Sequence, residues 1–400
     1  MKAGHKTPAR DKPGNLPGRR EKMSYNKQLS RIVARISFAV VVSLGGIGAA
    51  FSQDAAAAVA AAQKEAEQAL SAPTAWAGPT AAPKPLTGKK IAVISCAQLT
   101  EGCNRPSRAA VEAAQKLGWD ATIFDGKGDV GTQLAAINAA VDSKYDGIAL
   151  MIVDPVQVNE GIRRALDAKI PVVTLAEPAY TDQRKALLAS VPDVSHDWLK
   201  TGKLIGDYMI WKSEGHINAL LLNDPEVTVV QYGQFAGTQA KLIDKQACPD
   251  CKVTVENFTI ATLNTQPAAL TAAAVQRDPA INWVWCYDFC MANVATDLIA
   301  RGLQGKIMGA GFDCNAQNLQ LIRDGRVQVV CIADPRDWEA WAAVDTLNRL
   351  MNGQLAVDQN IPVRLFDKSN LDQLTDTDIK NGWQGGTDFR SQYLKIWGVR

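Results

Sequence analysis

Histidine is scarce in this sequence, and charges of the two signs nearly balance. Among 400 residues only His5, His196 and His216 occur, while 43 Lys and Arg face 41 Asp and Glu. No histidine stands in a spacing typical of a zinc site or of a nucleophile–histidine pair. We therefore expect no catalytic residue, no cofactor and no metal site.

Long hydrophobic runs are also lacking. The apolar stretch at residues 36–50 has 15 residues, whereas a transmembrane helix needs about 20. It follows a basic segment, residues 1–35, in which ten Lys or Arg and two acids give a net charge of about +8. A basic segment, a short apolar stretch and small residues before Gln53 are typical of a secretory signal peptide. We expect residues 1–52 to be this signal and the protein to be periplasmic.

Two questions about this terminus stay open. The apolar stretch is an anchor if it is not cleaved, and Met23 is a second candidate start because the basic segment is long. No cysteine follows the apolar stretch where a lipoprotein would carry one. The whole chain carries +2, so the part after the signal carries about −6. That charge argues against nucleic acid or an anionic membrane as a partner.

Export to an oxidising compartment predicts disulfide bonds for the eight cysteines. Two alternatives remain: residues 248–251 have the CxxC redox spacing, and the four cysteines at 248, 251, 286 and 290 have a loose zinc spacing. A redox CxxC normally begins a helix, whereas this one follows a predicted helix and precedes a strand. Local spacing suggests four pairs: Cys96–Cys103, Cys248–Cys251, Cys286–Cys290 and Cys314–Cys331.

Amino-acid composition distinguishes an N-terminal segment from the folded body that follows it. Residues 53–88 are rich in Ala and Pro, typical of a short helix and an extended linker, in which Trp76 is either exposed or docked on the body. From residue 89, short apolar runs alternate with helical stretches, as in parallel sheets covered on both faces. The predicted strands are residues 91–94, 121–124, 147–152, 172–175, 217–222, 253–258, 283–285, 307–309 and 327–332. The predicted helices are residues 105–117, 132–141, 156–168, 196–211, 229–246, 267–277, 291–300, 316–323 and 336–351.

The fold class is therefore α/β, with two Rossmann-like lobes joined by a hinge, because a body of this length exceeds one core. The strand–helix series restarts near residue 191. We assign residues 89–190 and about 334–363 to the first lobe, and residues 191–333 and about 364–400 to the second.

Polar residues follow several predicted strands, at the edge where ligands bind in such sheets. Capping of the next helix is the alternative role for each acid. Among the tryptophans, Trp283 and Trp285 share one strand face and are expected in the core. Trp338 and Trp341 have the spacing of a packed helix face, and one of the four could stack on a sugar. The strand-end residues are Ser95, Asp154, Glu177, Asp288, Asp313 and Asp334.

The layout resembles the type I periplasmic substrate-binding proteins, the ribose- and galactose-binding class, over residues 89–352. The resemblance is carried by AAQKLGW (113–119), DAKIPVVTL (167–175), TGKLIGDYM (201–209), IMGAGFD (307–313) and LIRDGRVQVVCIADP (321–335). It implies that Asp313 binds sugar hydroxyls and that Asp154, Asp288 and Asp334 stand at polar ligand positions. Gln234 lies near the position where sugar binders usually carry Arg.

Some positions depart from the family pattern. Ala176-Glu177 replaces the usual Asp-Arg, and the cysteine-bounded loop CAQLTEGC, with Gln98, replaces an Asn and paired aromatics. Arg105 could supply the missing guanidinium or pair with Glu101 or Glu177. The pocket is thus more acidic than a pentose site, which favours a ligand with a cation or many hydroxyls.

The resemblance implies a monomeric binding protein, not an enzyme, that closes on a small polar ligand such as a sugar or polyol. It would deliver that ligand to the membrane subunits of an ABC importer. A sensor that docks on a chemoreceptor or sensor kinase is the alternative. A lactose-repressor-type regulator is excluded, because residues 1–88 offer a signal and linker instead of a helix-turn-helix.

Overall fold

The computed structural model describes residues 41–73 and 75–399, with side chains from residue 54. Most of the predicted signal peptide and both candidate start residues lie outside the described residues. The first described element is helix α1 (Val41–Leu70). In the described part of the chain, no helix combines the length and apolar character needed to cross a membrane. Residues 53–400 form one compact unit, built from two lobes.

The first lobe contains a five-stranded sheet. Its strands are β1 (Lys90–Ser95), β2 (Asp120–Asp125), β3 (Gly147–Met151), β4 (Val172–Leu175) and β5 (Asp193–Val194). Its helices are α2 (Glu101–Lys116), α3 (Val130–Asp142), α4 (Asn159–Asp167) and α5 (Asp182–Leu188). The strands are all parallel, in the order β2-β1-β3-β4-β5. Strands β3 and β4 are buried along their whole length, which explains their continuous apolar sequences.

The second lobe contains a six-stranded sheet. Its strands are β6 (Asn218–Asn223), β7 (Lys252–Asn257), β8 (Trp283–Trp285), β9 (Met308–Phe312), β10 (Gln328–Ala333) and β11 (Arg364–Asp367). Its helices are α6 (Trp198–Lys212), α7 (Phe235–Ile243), α8 (Gln266–Arg277), α9 (Asp288–Ala300) and α10 (Ala316–Arg323). The order is β11-β10-β9-β8-β6-β7, and only β11 is antiparallel to its neighbour. In both sheets the parallel strands end at one edge, which is where ligands bind in sheets of this kind.

The chain returns between the lobes after β10. Helix α11 (Arg336–Met351) packs against α2, β3 and β4 of the first lobe, and the chain then crosses back to β11. Two further helices follow, α12 (Asp376–Asn381) and α13 (Phe389–Trp397). Helix α13 contacts α11 and therefore lies on the first lobe.

The fold class and all nine predicted strands are confirmed, with ends that differ by a few residues. Two short strands, β5 and β11, and three helices, α5, α12 and α13, were missed. Helix α2 begins at Glu101, four residues before the predicted start at residue 105, and it includes Pro106 in its second turn. The predicted helix at residues 229–246 is a π-helical turn (Val230–Gln234) followed by α7.

The observed sheets also differ from the expected lobe limits. β5 pairs with β4, so the first sheet extends to Val194, beyond the expected limit at residue 190. The terminal residues expected in the second lobe include α13, which packs on α11 instead. The C-terminal segment thus touches both lobes.

Trp283 and Trp285 are fully buried in the second lobe, as expected for core residues. Trp338 and Trp341 are buried as well. The ring of Trp338 is stacked between Trp76 and Phe389, at centroid distances of 4.8 and 5.8 Å. Its two faces are therefore covered, and its proposed role in stacking on a sugar is wrong.

All four disulfide pairs suggested by the spacing are formed, so all eight cysteines are paired. The bond between Cys96 and Cys103 closes the loop after β1 onto the start of α2. The bond between Cys314 and Cys331 ties the loop after β9 to β10. Closing such loops stabilises the fold chiefly by restricting the unfolded chain. Zinc ligation needs thiolates, which these paired cysteines do not offer. Cys248 and Cys251 are 0% and 5% exposed and do not begin a helix, and both features disfavour the redox alternative.

Candidate functional site

A small pocket lies where the strand ends of the second lobe meet the start of α2. Its charged lining consists of Glu101 and Arg105 on α2, Asp313 after β9, Asp334 after β10 and Arg336 at the start of α11. Phe289 of α9, whose side chain is 45% exposed, adds an aromatic wall. The cavity volume is about 20 Å³, which is room for one water-sized molecule. A sugar would fit only after the lobes move apart.

Asp313 is held by the backbone at the end of β9. Its φ of 78° and the φ of 50° at Cys314 turn the chain sharply, and the disulfide to Cys331 fixes this turn beside β10. The carboxylate Oδ1 accepts a hydrogen bond from Arg336 Nη2 at 3.4 Å. Burial raises the pKa of Asp313, and the guanidinium of Arg336 opposes that shift.

Asp334 is the least satisfied group of the pocket. It is 5% exposed, and Arg336 Nη2 lies 3.2 Å from its Oδ2. That contact lacks hydrogen-bond geometry, and among the described residues neither carboxylate oxygen has a hydrogen-bond partner. Burial raises the pKa of Asp334. Buried acceptors without donors are costly, so this carboxylate is suited to a ligand that brings hydroxyl or ammonium donors.

A buried network extends from Arg336 away from the pocket. Arg336 Nη1 donates to Glu339 Oε2 at 3.3 Å, and Glu339 Oε1 lies 3.1 Å from His196 Nδ1. Burial would raise the pKa of Glu339, but Arg336 and His196 hold it below its usual value. The network connects the pocket to the crossover segments between the lobes.

Three members of this region could in principle ligate a metal. The ligand atoms of His196, Asp334 and Glu339 lie within 4.8 Å of one another. Arg336, however, pairs with both carboxylates and supplies the positive charge that a metal ion would bring. We therefore interpret the group as an ion-pair network.

Arg105 is fixed from two sides. Its Nε lies 3.4 Å from Asp337 Oδ1, in α11. Among the described residues it forms no salt bridge with Glu101 or Glu177, the two partners that the sequence offered as an alternative to a role in the pocket. Gly382, with a φ of 78°, packs against the guanidinium, and a Cβ added there would lie 1.7 Å from Arg105 Nη1. Arg105 thus reaches the pocket wall from the first lobe.

Asp154 and Glu177 form a separate cluster around Arg184 of α5. Arg184 Nη2 lies 2.7 Å from Asp154 Oδ1, and Nη1 donates to Glu177 Oε2 at 2.8 Å. Nη2 also donates to Thr228 Oγ1 at 3.0 Å, in the second lobe. Burial raises the pKa of Glu177 to about 8, an effect that Arg184 opposes and Asp154 adds to. Sequence analysis missed Arg184, because the short helix that carries it has no clear apolar period.

Asp288 lies behind the pocket wall. It is fully buried as the first residue of α9, accepting hydrogen bonds from the backbone N–H of Asn315 at 2.7 Å and from Gln328 Nε2 at 3.1 Å. Burial, and next the charge of Asp313, raise its pKa strongly. These bonds brace the loop after Asp313, so the structure gives Asp288 a supporting position and does not place it in the pocket lining.

Ser95 and Gln98 belong to the disulfide-closed loop. Gln98 Nε2 donates to Ser95 Oγ at 2.7 Å, and Gln98 Oε1 accepts from Asn104 Nδ2 at 3.0 Å. These side chains order the loop around one another. Neither lines the small pocket.

Gln234 ends the π-helical turn before α7. It is 2% exposed, and its Oε1 has no hydrogen-bond partner among the described residues. Its backbone oxygen packs so closely on Gly202 that a Cβ there would lie 2.4 Å away. The residue thus lies at the contact of α6 with the π-helical turn and is not part of the pocket lining.

A larger cavity of about 620 Å³ lies elsewhere, beside the crossovers. It is open to solvent and is bounded by α1, the start of α6 and residues 358–363. Its lining does not include the strand-end acids. Buried charges from both lobes converge at the smaller pocket and not at this cavity.

The comparisons with known proteins agree with this geometry. Residues 91–355 match the model of the periplasmic binding protein domain family. The chain therefore belongs to that family. A search of the curated proteins finds no match.

Solved structures show the same fold. An ABC transporter solute-binding protein from Agrobacterium vitis, with bound allitol, is 19% identical, with a TM-score of 0.63 over 72% of this chain and 98% of its own. A periplasmic solute-binding protein from Actinobacillus succinogenes 130z, with bound D-allose, is 17% identical, with a TM-score of 0.62 over 72% of this chain and 100% of its own. An ABC transporter solute-binding protein from Bradyrhizobium sp. BTAi1, with bound bis-tris, is 18% identical, with a TM-score of 0.59 over 76% of this chain and 88% of its own.

Proposed function

We propose that this protein binds a small polyhydroxylated ligand between its lobes and delivers it to an ABC importer. Family membership and the fold of the solute-binding proteins above support the binding role. The ligands in those structures are an alditol, a sugar and a hydroxylated amine, which share many hydroxyl groups. Sugars, polyols and amino-polyols are therefore the ligand class.

The main support for this ligand site is that Arg105 of the first lobe lines the same pocket as Asp313, Asp334 and Arg336. Ionised carboxylates accept hydrogen bonds from hydroxyls, and guanidinium groups donate to ligand oxygens. Such charge-assisted bonds are about twice as strong as neutral ones. Asp334, with no hydrogen-bond partner of its own, is the acceptor that most needs a ligand donor.

Binding and closure are coupled in this proposal. The pocket, lined by α2 of the first lobe and by strand ends of the second, has room for about one water, so we expect ligand entry to require hinge opening. A ligand that contacts both lobes only in the closed form shifts the equilibrium toward that form. The closed, loaded form is the one presented to the membrane subunits of the importer, and we propose that the protein acts as a monomer.

An extracytoplasmic location completes the proposal. Four disulfides are stable in an oxidising compartment such as the periplasm. The basic and apolar segments at residues 1–52 fit an export signal. N-terminal sequencing of the exported protein tests this part, with Gln53 expected as the first residue.

The binding proposal is tested by a thermal-shift screen with sugars, polyols and amino-polyols, followed by calorimetry. We expect at least one compound to raise the melting temperature of the wild type. Asp313→Asn should lower the affinity for that compound about 10-fold or more, because a charge-assisted bond is lost. Asp324→Asn, on the exposed end of α10, is the matched control and should bind like wild type. Equal binding by Asp313→Asn and the control would contradict the proposed site.

A further inference from the structure

Two segments outside the matched family domain run beside the hinge. We call residues 54–88 the N-terminal strap and residues 368–397 the C-terminal segment. The family model covers residues 91–355, so neither belongs to it. Their contacts link the two lobes independently of the three crossovers of the domain itself.

The helical part of the strap docks on the second lobe. Ala62 and Ala66 are 1% and 0% exposed and pack in the core that contains Ile205 and Tyr208 of α6. The end of the helix is also tied down, because the carbonyl oxygen of Leu70 accepts hydrogen bonds from Arg364 Nε and Asn370 Nδ2, both at 3.0 Å. Both donors belong to β11 or the turn that follows it.

The extended part of the strap docks on the first lobe. Trp76 stacks on Trp338 of α11, with centroids 4.8 Å apart and planes 12° apart, and meets Tyr393 of α13 edge-on at 5.2 Å. Of the two alternatives that the sequence left open for Trp76, an exposed side chain or one docked on the body, the structure shows the docked one. An aromatic contact of this kind contributes about 1 kcal/mol beyond the area that it buries.

Hydrogen bonds continue this docking along the linker. Arg349 Nη2 donates to the carbonyl oxygen of Ala81 at 2.5 Å, and Asn348 Nδ2 donates to that of Pro83 at 2.8 Å. Trp119 Nε1 donates to the carbonyl oxygen of Leu86 at 2.6 Å. All three donors lie on the first lobe or on α11, so the extended part is held along most of its length.

The C-terminal segment crosses the same region in the same direction, from the second lobe to the first. Trp383 packs edge-on against Phe366 of β11 in the second lobe, with centroids 5.8 Å apart. Arg390 of α13 then pairs with Glu112 of α2 and Asp337 of α11, each at 3.0 Å. The two segments also touch, because a Cβ on Gly386 would lie 3.4 Å from Pro73.

From these contacts we propose that the strap and the C-terminal segment form a brace that holds the lobes near their closed arrangement without ligand. Only residues 71–75 separate the Leu70 contact from the Trp76 stack. Six Cα–Cα steps span at most about 20 Å. Wide opening must therefore stretch this connection or strip Trp76 from Trp338. A brace of this kind restricts the hinge motion that admits the ligand.

The test cuts the strap between the Leu70 and Trp76 contacts and leaves both of these in place. A protease site replaces residues 71–75 in the exported protein, and probes introduced as non-canonical residues at Lys144 and Lys306, exposed on the first and second lobes, report the distance between lobes. We expect cleavage to lengthen the mean distance and broaden its distribution in ligand-free protein. The same distribution before and after cleavage would overturn the proposal.

A substitution at the stack gives an independent measurement. Trp76→Ala should widen the distance distribution in the uncut protein, while Trp76→Phe, which keeps an aromatic ring on Trp338, should stay close to wild type. Circular dichroism establishes that each variant is folded. If Trp76→Ala does not fold, the cleaved and uncleaved samples alone decide. Folded Trp76→Ala with the wild-type distribution would also contradict the brace.

Discussion

Acids at the strand ends of the two lobes have opposite environments. In the first lobe, Asp154 and Glu177 share the guanidinium of Arg184 at 2.7 and 2.8 Å. At the end of the second sheet, Asp334 has charge nearby but no hydrogen-bond partner among the described residues. Acidic residues at the ends of strands in the two lobes therefore have different surroundings and different roles. The paired acids stabilise the first lobe, and the unsatisfied acid is the one that we propose as a ligand contact.

The largest effect expected from this comparison is on stability. Arg184→Ala would leave Asp154 and Glu177 without the guanidinium that contacts both, and should lower the free energy of unfolding by about 3–5 kcal/mol. Arg164→Ala is the matched control, because Arg164 pairs with Asp142 on the surface, where such a pair contributes below about 1 kcal/mol. Chemical denaturation measures both. Equal losses in the two variants would show that the Arg184 cluster is not structural.

A smaller effect is expected on ligand affinity. Asp334→Asn should weaken binding of the ligand identified by screening about 10- to 100-fold, since a charge-assisted hydrogen bond contributes about 1.5–3 kcal/mol. The free energy of unfolding should change less than in Arg184→Ala, because the carboxylate has no hydrogen bond to lose and Arg336 keeps Asp313 and Glu339 as partners. Asp154→Asn, the counterpart in the first lobe, should keep its affinity. The comparison fails if Asp154→Asn loses more affinity than Asp334→Asn by calorimetry.

The smallest expected effect is on the pH dependence of stability. The pKa of Glu177 is raised to about 8 in the folded protein, mainly by burial. The folded state therefore binds a proton that the unfolded state releases above about pH 4.5, so stability should fall as pH rises toward 8. Glu177→Gln removes this titration. Between pH 5 and pH 8.5 the melting temperature of wild type should fall at least about 3 °C further than that of the variant. Parallel pH profiles would argue against the raised pKa.

The sequence predicted the fold well where apolar strands and helices alternate. Strand β4 and helices α10 and α11 were located to the residue, because their periodic patterns end at clear turn signals. The missed strands are short or atypical: β5 has two residues, and β11 is antiparallel after a long crossover. Local sequence carries too little signal to define them.

The site was predicted less completely, for a physical reason. Strand-end position identified Asp313 and Asp334, which line the pocket, because the fold places all strand ends at one edge. It also selected Asp154 and Glu177, whose partner Arg184 comes from a helix that was not predicted. Asp288 was selected too, although its carboxylate holds the neighbouring loop. Which acid remains unsatisfied depends on tertiary contacts that spacing does not show.

The central claim is that the ligand binds among Arg105, Asp313, Asp334 and Arg336. Its most direct test is a crystal structure of the protein with the compound that gives the largest thermal shift. The account predicts density for that compound between the lobes, with donors within hydrogen-bond distance of Asp313 and Asp334. Density only in the cavity bounded by α1 and residues 358–363, with these carboxylates uncontacted, would contradict it.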